Sequence, residues 1–134
     1  MITLEQALRT RWQDDPTLAA LLPVNYVWTN WSDVAQVPRA EITAAGEDRV
    51  WLTSRAEVAE RVRVTVEVWH NSFEKLRSTI NRIKELFDRA SFDLGDNARI
   101  LRLTYQRDDM ARQGYGLWRG EITFDGLALR PIVA

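Results

Sequence analysis

The chain has 134 residues, of which 46% are hydrophobic and 28% charged, so it is long enough to bury a core and lacks the signature of disordered segments. Its 18 basic and 19 acidic side chains give a net charge of -1, which argues against an overall attraction to nucleic acid or to an anionic membrane. The absence of cysteine excludes disulfides, thiol nucleophiles and thiolate metal sites. We expect one domain over residues 1–134, without specific nucleic-acid binding.

The first third of the sequence predicts two short helices. It shows neither a signal peptide nor an apolar run of the ~20 residues that cross a bilayer, so we expect a soluble protein that does not bind membranes. Thr3 and Gln6 have the spacing of a capping box, and the apolar residues after them share one helical stripe, which predicts a helix over residues 3–13. Asp15 and Pro16 are typical of the start of a second, shorter helix, and Pro23 ends it.

Strand patterns follow this helical pair. Residues 26–31, YVWTNW, are β-branched and aromatic, which predicts a short strand. Residues 39–45 and 49–54 flank Gly46-Glu47-Asp48, which predicts a hairpin with its turn at those three residues. Residues 59–70 then alternate, which predicts the longest strand.

The second half predicts one long helix and a closing hairpin. Asn71 or Ser72 can cap a helix whose apolar residues recur every three or four positions through Phe87. Residues 94–97 form a turn cluster, and strands are predicted over residues 98–107 and 115–125 with a polar connection between them. The predicted fold is therefore α+β, in the order α(α)-β-β-β-α-β-β, with the helices on one face of a single mixed or antiparallel sheet.

The longest strand has two different faces. Residues 61–70 read RVRVTVEVWH, so valines alternate with Arg61, Arg63, Thr65, Glu67 and Trp69. The helices would cover the valine face. The second face has two interpretations: it is solvated, as one face of an antiparallel sheet often is, or it binds another protein. The six tryptophans leave a similar choice, because aromatic residues on both faces fit an interface or a two-sided core.

Residues that could carry chemistry are few. His70 is the single histidine and lies with the valines, where packing or capping is a more common role than catalysis. Three carboxylate pairs occur, Asp14-Asp15, Asp93 with Asp96, and Asp108-Asp109, but none has calcium-loop spacing. Gly114 and Gly116 lack the pattern of a phosphate loop. We therefore expect no catalytic site, metal site or cofactor.

Two segments resemble a known family. Residues 64–87, VTVEVWHNSFEKLRSTINRIKELF, run from an alternating strand into an amphipathic helix. Residues 105–124, YQRDDMARQGYGLWRGEITF, contain a Tyr-x-Arg-Asp-Asp segment, a Gly-Leu-Trp and an alternating last strand. Together they resemble the tail terminator, or tail completion, proteins of long-tailed bacteriophages, in particular the lambda-type U protein.

This resemblance implies a structural protein of the virion without a reaction or a cofactor. Members form a hexameric ring on the end of the tail tube, which stops polymerisation of the tube and offers a docking face for the head. The implied partners are other copies of the chain, the tail tube protein and a head-tail connector protein. The implied location is the phage tail, assembled in the bacterial host cytoplasm.

The interface residues expected from the strand pattern and the resemblance are eight: Arg61, Arg63, Glu67, Trp69, Arg107, Asp108, Asp109 and Trp118. Other interpretations stay open. The chain could be another tail or connector subunit, such as a tube-like or head-tail joining protein, or a monomeric accessory binding domain. A small enzyme is the most distant of them, because one histidine and no cysteine leave few routes to nucleophilic catalysis.

Overall fold

The computed structural model describes residues 2–29, 37–52 and 57–131, and the side chains of all of these except 47–52. Its α-helices are α1 (Leu4–Asp14), α2 (Pro16–Leu21) and α3 (Phe73–Phe87). Its strands are β1 (Val27–Thr29), β2 (Arg39–Leu52), β3 (Glu57–His70), β4 (Phe92–Gly95), β5 (Ala98–Gly114) and β6 (Leu117–Pro131). The predicted α+β class is confirmed.

Local signals in the sequence set the starts of the helices. The Thr3 hydroxyl accepts a hydrogen bond from the Gln6 amide at 3.2 Å, and the Gln6 side chain accepts from the Thr3 amide at 2.9 Å, so the predicted capping box forms. Asp15 caps α2 by accepting from the Leu18 amide at 2.9 Å. The same carboxylate accepts from Arg82 Nε at 2.9 Å and from Arg82 Nη2 at 2.6 Å, and thereby connects the α1–α2 junction to α3.

Within the described part of the chain, the six strands form one mixed sheet in the order β1-β2-β3-β6-β5-β4. β1 runs parallel to β2, and every other neighbouring pair is antiparallel. The helices pack on one face, where Val64, Val66 and Val68 of β3 are fully buried. Phe124 of β6 joins this core and lies edge-on to Phe87 of α3, with ring centroids 6.0 Å apart.

The hairpin predicted at Gly46-Glu47-Asp48 is wrong. β2 continues through these residues, and its register against β3 shifts between Gly46 and Val50. Pairing along the whole length of β3 outweighs the local turn preference, and the extra residues are taken up as a bulge in the ladder. β2 ends at Leu52 and β3 begins at Glu57.

Other boundaries differ from the prediction. The strand predicted at residue 26 begins at Val27, after a short 3₁₀ turn at Val24–Tyr26, and Trp31 lies outside the described residues. The turn before β5 is formed by Asp96 and Asn97, which have φ of 52° and 63°, and β4 precedes it as an unpredicted strand.

The connection predicted between the last two strands is also wrong. β5 ends at Gly114 and β6 begins at Leu117. The polar residues 108–114 therefore lie in a strand, and Tyr115-Gly116 make the turn. Their polarity suggested a loop because both faces of this end of β5 are largely exposed, so the sequence carries no apolar alternation there.

Candidate interface on the open face of the sheet

The sheet face opposite the helices, here called the open face, receives six of the eight expected interface residues. Arg61, Arg63, Glu67 and Trp69 alternate with the buried valines of β3, as the sequence predicted. The register from β3 through β6 to β5 places the remaining two on the same face, and these are Arg107 and Asp109. Asp108 and Trp118 fall on the helix-covered face.

A tryptophan between two arginines marks one end of the open face. Trp69 is paired in register with Arg39 of β2 and with Arg119 of β6. The Arg39 guanidinium carbon lies 4.2 Å from the centroid of the Trp69 ring, and that of Arg119 lies 6.0 Å away. Both distances allow cation–π attraction, which orients the two cations over an aromatic platform.

The next row across the sheet consists of carboxylates. Glu41, Glu67, Glu121 and Asp109 are successive register partners on β2, β3, β6 and β5. Like charges directly opposite one another destabilise a sheet unless cations neutralise them. Arg39 binds Glu41 at 3.1 Å, and Arg119 bridges Glu67 at 3.0 Å and Glu121 at 2.9 Å. Arg39 and Arg119 therefore neutralise three of these carboxylates, those of Glu41, Glu67 and Glu121.

The charges around Arg119 also affect its protonation. Partial burial alone lowers the pKa of Arg119, but hydrogen bonds and attraction from Glu67 and then Glu121 outweigh it and raise that pKa above its usual value. Glu41 is only 7% exposed although it is ionisable, which fits its ion pair with Arg39. The two arginines and their three glutamate partners are thus a partly desolvated pattern of charge held by ion pairs.

The end of the open face away from Trp69 has more exposed ion pairs. Arg63 binds Asp125 at 3.0 Å, but both side chains are well exposed, and such pairs contribute little to stability. Arg61 lies beside an exposed apolar residue of β5, Leu101, and a half-buried one of β6, Leu127. This end offers apolar area with a cation beside it, the composition typical of interface anchors.

Sequence reasoning missed Arg39, Glu41, Arg119 and Glu121, which complete these rows. Their parity within β2 and β6 could have been read from the sequence. The sequence could not show which residue of one strand lies opposite which residue of the next. The reason is that β6 lies between β3 and β5, and that the predicted break at Gly46 divided β2.

Asp108 and Trp118 have partners within the chain. The Tyr105 hydroxyl donates to Asp108 at 2.5 Å, and this hydrogen bond is the main reason that the pKa of Tyr105 is raised. Trp118 lies with its ring centroid 4.9 Å from that of Phe73 at the start of α3. These contacts support the local fold on the helix-covered face.

The remaining candidate residues have structural contacts. His70 is buried, and its Nδ1 accepts from the Ser72 amide at 3.1 Å, so it packs and caps as the sequence predicted. Burial lowers the pKa of His70, Asn71 opposes that shift by hydrogen bonding, and the charge of Lys75 adds to it. Asp93 accepts from the Gly95 amide at 2.9 Å in a turn.

The described residues hold neither a cluster of metal ligands nor a membrane-spanning helix. Across residues 2–29, 37–52 and 57–131, no group of three or more His, Asp or Glu is arranged to hold a metal ion. Within the same ranges, no helix combines the length and apolarity needed to cross a membrane.

Comparison with known proteins gives a likeness of fold. No protein-family model and no curated protein matches the chain. Among solved structures, a chain from the virion of a native gene transfer agent particle is similar, with a TM-score of 0.73, 16% sequence identity and 95% of each chain covered. At this identity the likeness establishes that the two chains share a fold over nearly their whole length.

Proposed function

We propose that the chain is a non-enzymatic structural subunit of a phage-like virion, and specifically a tail terminator. In this role it forms a ring on the end of the tail tube, stops polymerisation of the tube and provides the interface to which the head docks. The observation that carries the proposal is the likeness to a virion chain over 95% of both chains. The resemblance of residues 64–87 and 105–124 to tail terminators supports the narrower role.

A closed ring needs two different patches on each subunit, which meet between neighbours. A stable contact of this kind buries about 1,600 Å² in total. The open face suits one of the two patches because it combines Trp69 with arginines in fixed positions and a row of carboxylates. Tryptophan and arginine are enriched among the residues that contribute most to binding, and fixed charges select register and partner.

In this proposal the ring assembles in the bacterial host cytoplasm and resides in the phage tail. Its partners are further copies of the chain, the tail tube protein and the head-tail connector protein. We expect a hexamer, as the family resemblance implies.

The test is the mass of the assembly in solution. Wild type and the double variant Arg63→Ala/Trp69→Ala are compared by size-exclusion chromatography with multi-angle light scattering, over a range of concentration and salt. We expect a closed species near six subunits for wild type and its loss in the variant, with an unchanged circular-dichroism spectrum.

A matched control removes the same residue classes from outside the open face. Arg77 is exposed on α3 and Tyr115 at the turn between β5 and β6, so Arg77→Ala/Tyr115→Ala also deletes one cation and one aromatic ring. We expect this variant to assemble like wild type. If the Arg63→Ala/Trp69→Ala protein still forms the ring, the open face is not a contact between ring subunits.

The alternative candidate is another tail or connector subunit, such as a tube-like protein, and the same likeness to a virion chain favours it. Tube subunits polymerise as stacked rings. Open-ended filaments of the isolated chain in the electron microscope would identify this alternative, whereas a discrete ring that blocks elongation of a purified tail tube would identify the terminator.

A further inference from the structure

One long stretch of β5 forms an open edge of the sheet. β4 pairs with β5 only between Ala98 and Ile100. Farther along, Leu103 accepts from the Arg89 amide at 2.7 Å and donates to the Ala90 carbonyl at 2.8 Å, and the Tyr105 amide donates to Asp88 at 2.9 Å. Along residues 106–114, no strand among the described residues pairs with β5 on the side away from β6.

Such an edge is a template for another strand. It presents unpaired backbone donors and acceptors, and proteins usually protect it by shortness, charged side chains, proline, β-bulges or a covering segment. The register of β5 shifts around Gln106 and Gln113, which leaves a regular stretch over residues 107–112 that contains no proline and whose residues are all exposed or half-buried. Met110 is half-buried and packs against the margin of the core.

The side chains on this edge have charges that complement those of the same edge in a second copy. When two copies of one edge pair antiparallel across a two-fold axis, opposite residues lie on the same face, so a single residue must sit on the axis. With Met110 on the axis, Asp108 of each copy lies opposite Arg112 of the other. Placing Asp109 on the axis would instead oppose two carboxylates, and placing Arg112 there would oppose two guanidiniums.

We propose that residues 108–112 pair with the same residues of a second copy, antiparallel and centred on Met110. The pairing makes two Asp108–Arg112 ion pairs and a Met110–Met110 contact, and it joins the two sheets into one of twelve strands. Asp108 accepts from Tyr105 at 2.5 Å, but a carboxylate has further acceptor sites for a guanidinium. Arg112 uses its Nε for the Gly114 carbonyl, at 3.1 Å, which leaves its terminal nitrogens for Asp108 of the second copy.

This contact differs from the ring contact and does not depend on it. A two-fold pairing joins identical edges, whereas a ring joins two different patches. Paired edges would give either a soluble dimer before assembly or two rings held together. Failure of the ring experiment would therefore leave this proposal standing, and the reverse also holds.

The natural absence of cysteine allows a direct test. In full-length Met110→Cys, the two thiols would lie across the axis with Cβ atoms about 4.5–5.5 Å apart, close to the separation that a disulfide bridges. Gln106→Cys is the matched control, because its two copies would lie eight residues apart along the edge, about 26 Å. Under mild oxidation we expect a disulfide-linked dimer of Met110→Cys on a non-reducing gel and little from Gln106→Cys.

Charge reversal tests the register. In the Met110→Cys protein, Asp108→Arg brings two arginines together and should reduce the dimer yield about 3- to 30-fold, given a few tenths to one kcal/mol for each of the two cross-strand pairs changed from attraction to repulsion. Adding Arg112→Asp restores opposite charges and should restore the yield. Circular dichroism confirms that each variant is folded. Equal dimer yields from Met110→Cys and Gln106→Cys would overturn the proposal. It would also be overturned if the protein with both charge reversals is folded but does not regain the dimer.

Discussion

The two faces of β3 are built from adjacent residues but are held by different forces. Val64, Val66 and Val68 are fully buried under the helices, whereas Arg63 and Glu67 are partly or fully exposed and form ion pairs with β6. Burial of apolar side chains contributes most of the folding free energy, while exposed ion pairs contribute little to it. The comparison teaches that the helix-covered face contributes most of the folding free energy, which leaves the residues of the open face little constrained by folding.

The largest effect should come from the core of the covered face. Phe124 is fully buried and contacts the rings of Phe87 and Tyr105. Phe124→Ala should lower the free energy of unfolding by about 3–5 kcal/mol through lost burial and a cavity. Its neighbour on the open face, Asp125→Ala, should change that free energy by less than about 0.5 kcal/mol. Urea unfolding followed by fluorescence measures both, and similar losses would contradict the division between the faces.

An intermediate effect is expected within the open face. Arg119→Met removes the guanidinium between Glu67 and Glu121, so the carboxylates repel one another, and we expect a loss of about 1–2 kcal/mol. Added salt should recover part of it by screening. Arg63→Met, at the exposed end, should cost less than about 0.5 kcal/mol. If the two variants lose the same stability with the same salt response, the row around Arg119 is no more ordered than the exposed pair.

The smallest effect concerns pH. The pKa of His70 is lowered in the folded chain, chiefly by burial, so below about pH 6.5 the unfolded chain binds a proton that the folded chain does not. Stability is therefore fully present above that pH and falls as the pH decreases, by less than about 1 kcal/mol between pH 7 and 6. His70→Asn keeps an acceptor for Ser72 and should remove this dependence. Denaturation series at several pH values test it, and an unchanged slope in the variant would exclude His70 as the cause.

Much of the covered face could be predicted from the sequence because its signals are local. The alternation of residues 61–70 and the three- and four-residue spacing of α3 each report burial by one neighbouring layer. Capping by Thr3, Asp15 and Ser72 depends on residues only three positions away. These patterns predicted the α+β class and the side on which the helices pack.

The open face was predicted only within single strands. Parity in β3 correctly grouped Arg61, Arg63, Glu67 and Trp69, but their partners Arg39 and Arg119 come from strands that pairing over long sequence distances brings together. The bulge after Gly46 and the polar end of β5 were misread for a related reason: in both, strand pairing overrides the local preference for a turn. Whether the face binds another subunit is a property of a second molecule and remains a prediction.

The double use of Asp15 has a consequence for the order of folding. One carboxylate caps α2 and also binds Arg82, which is 67 residues away in sequence. Closing a loop of that length costs entropy before the contact is made, so such contacts tend to form late. The N-terminal helices would then dock after α3 has settled on the sheet, and weakening this link would hasten unfolding more than it slows folding.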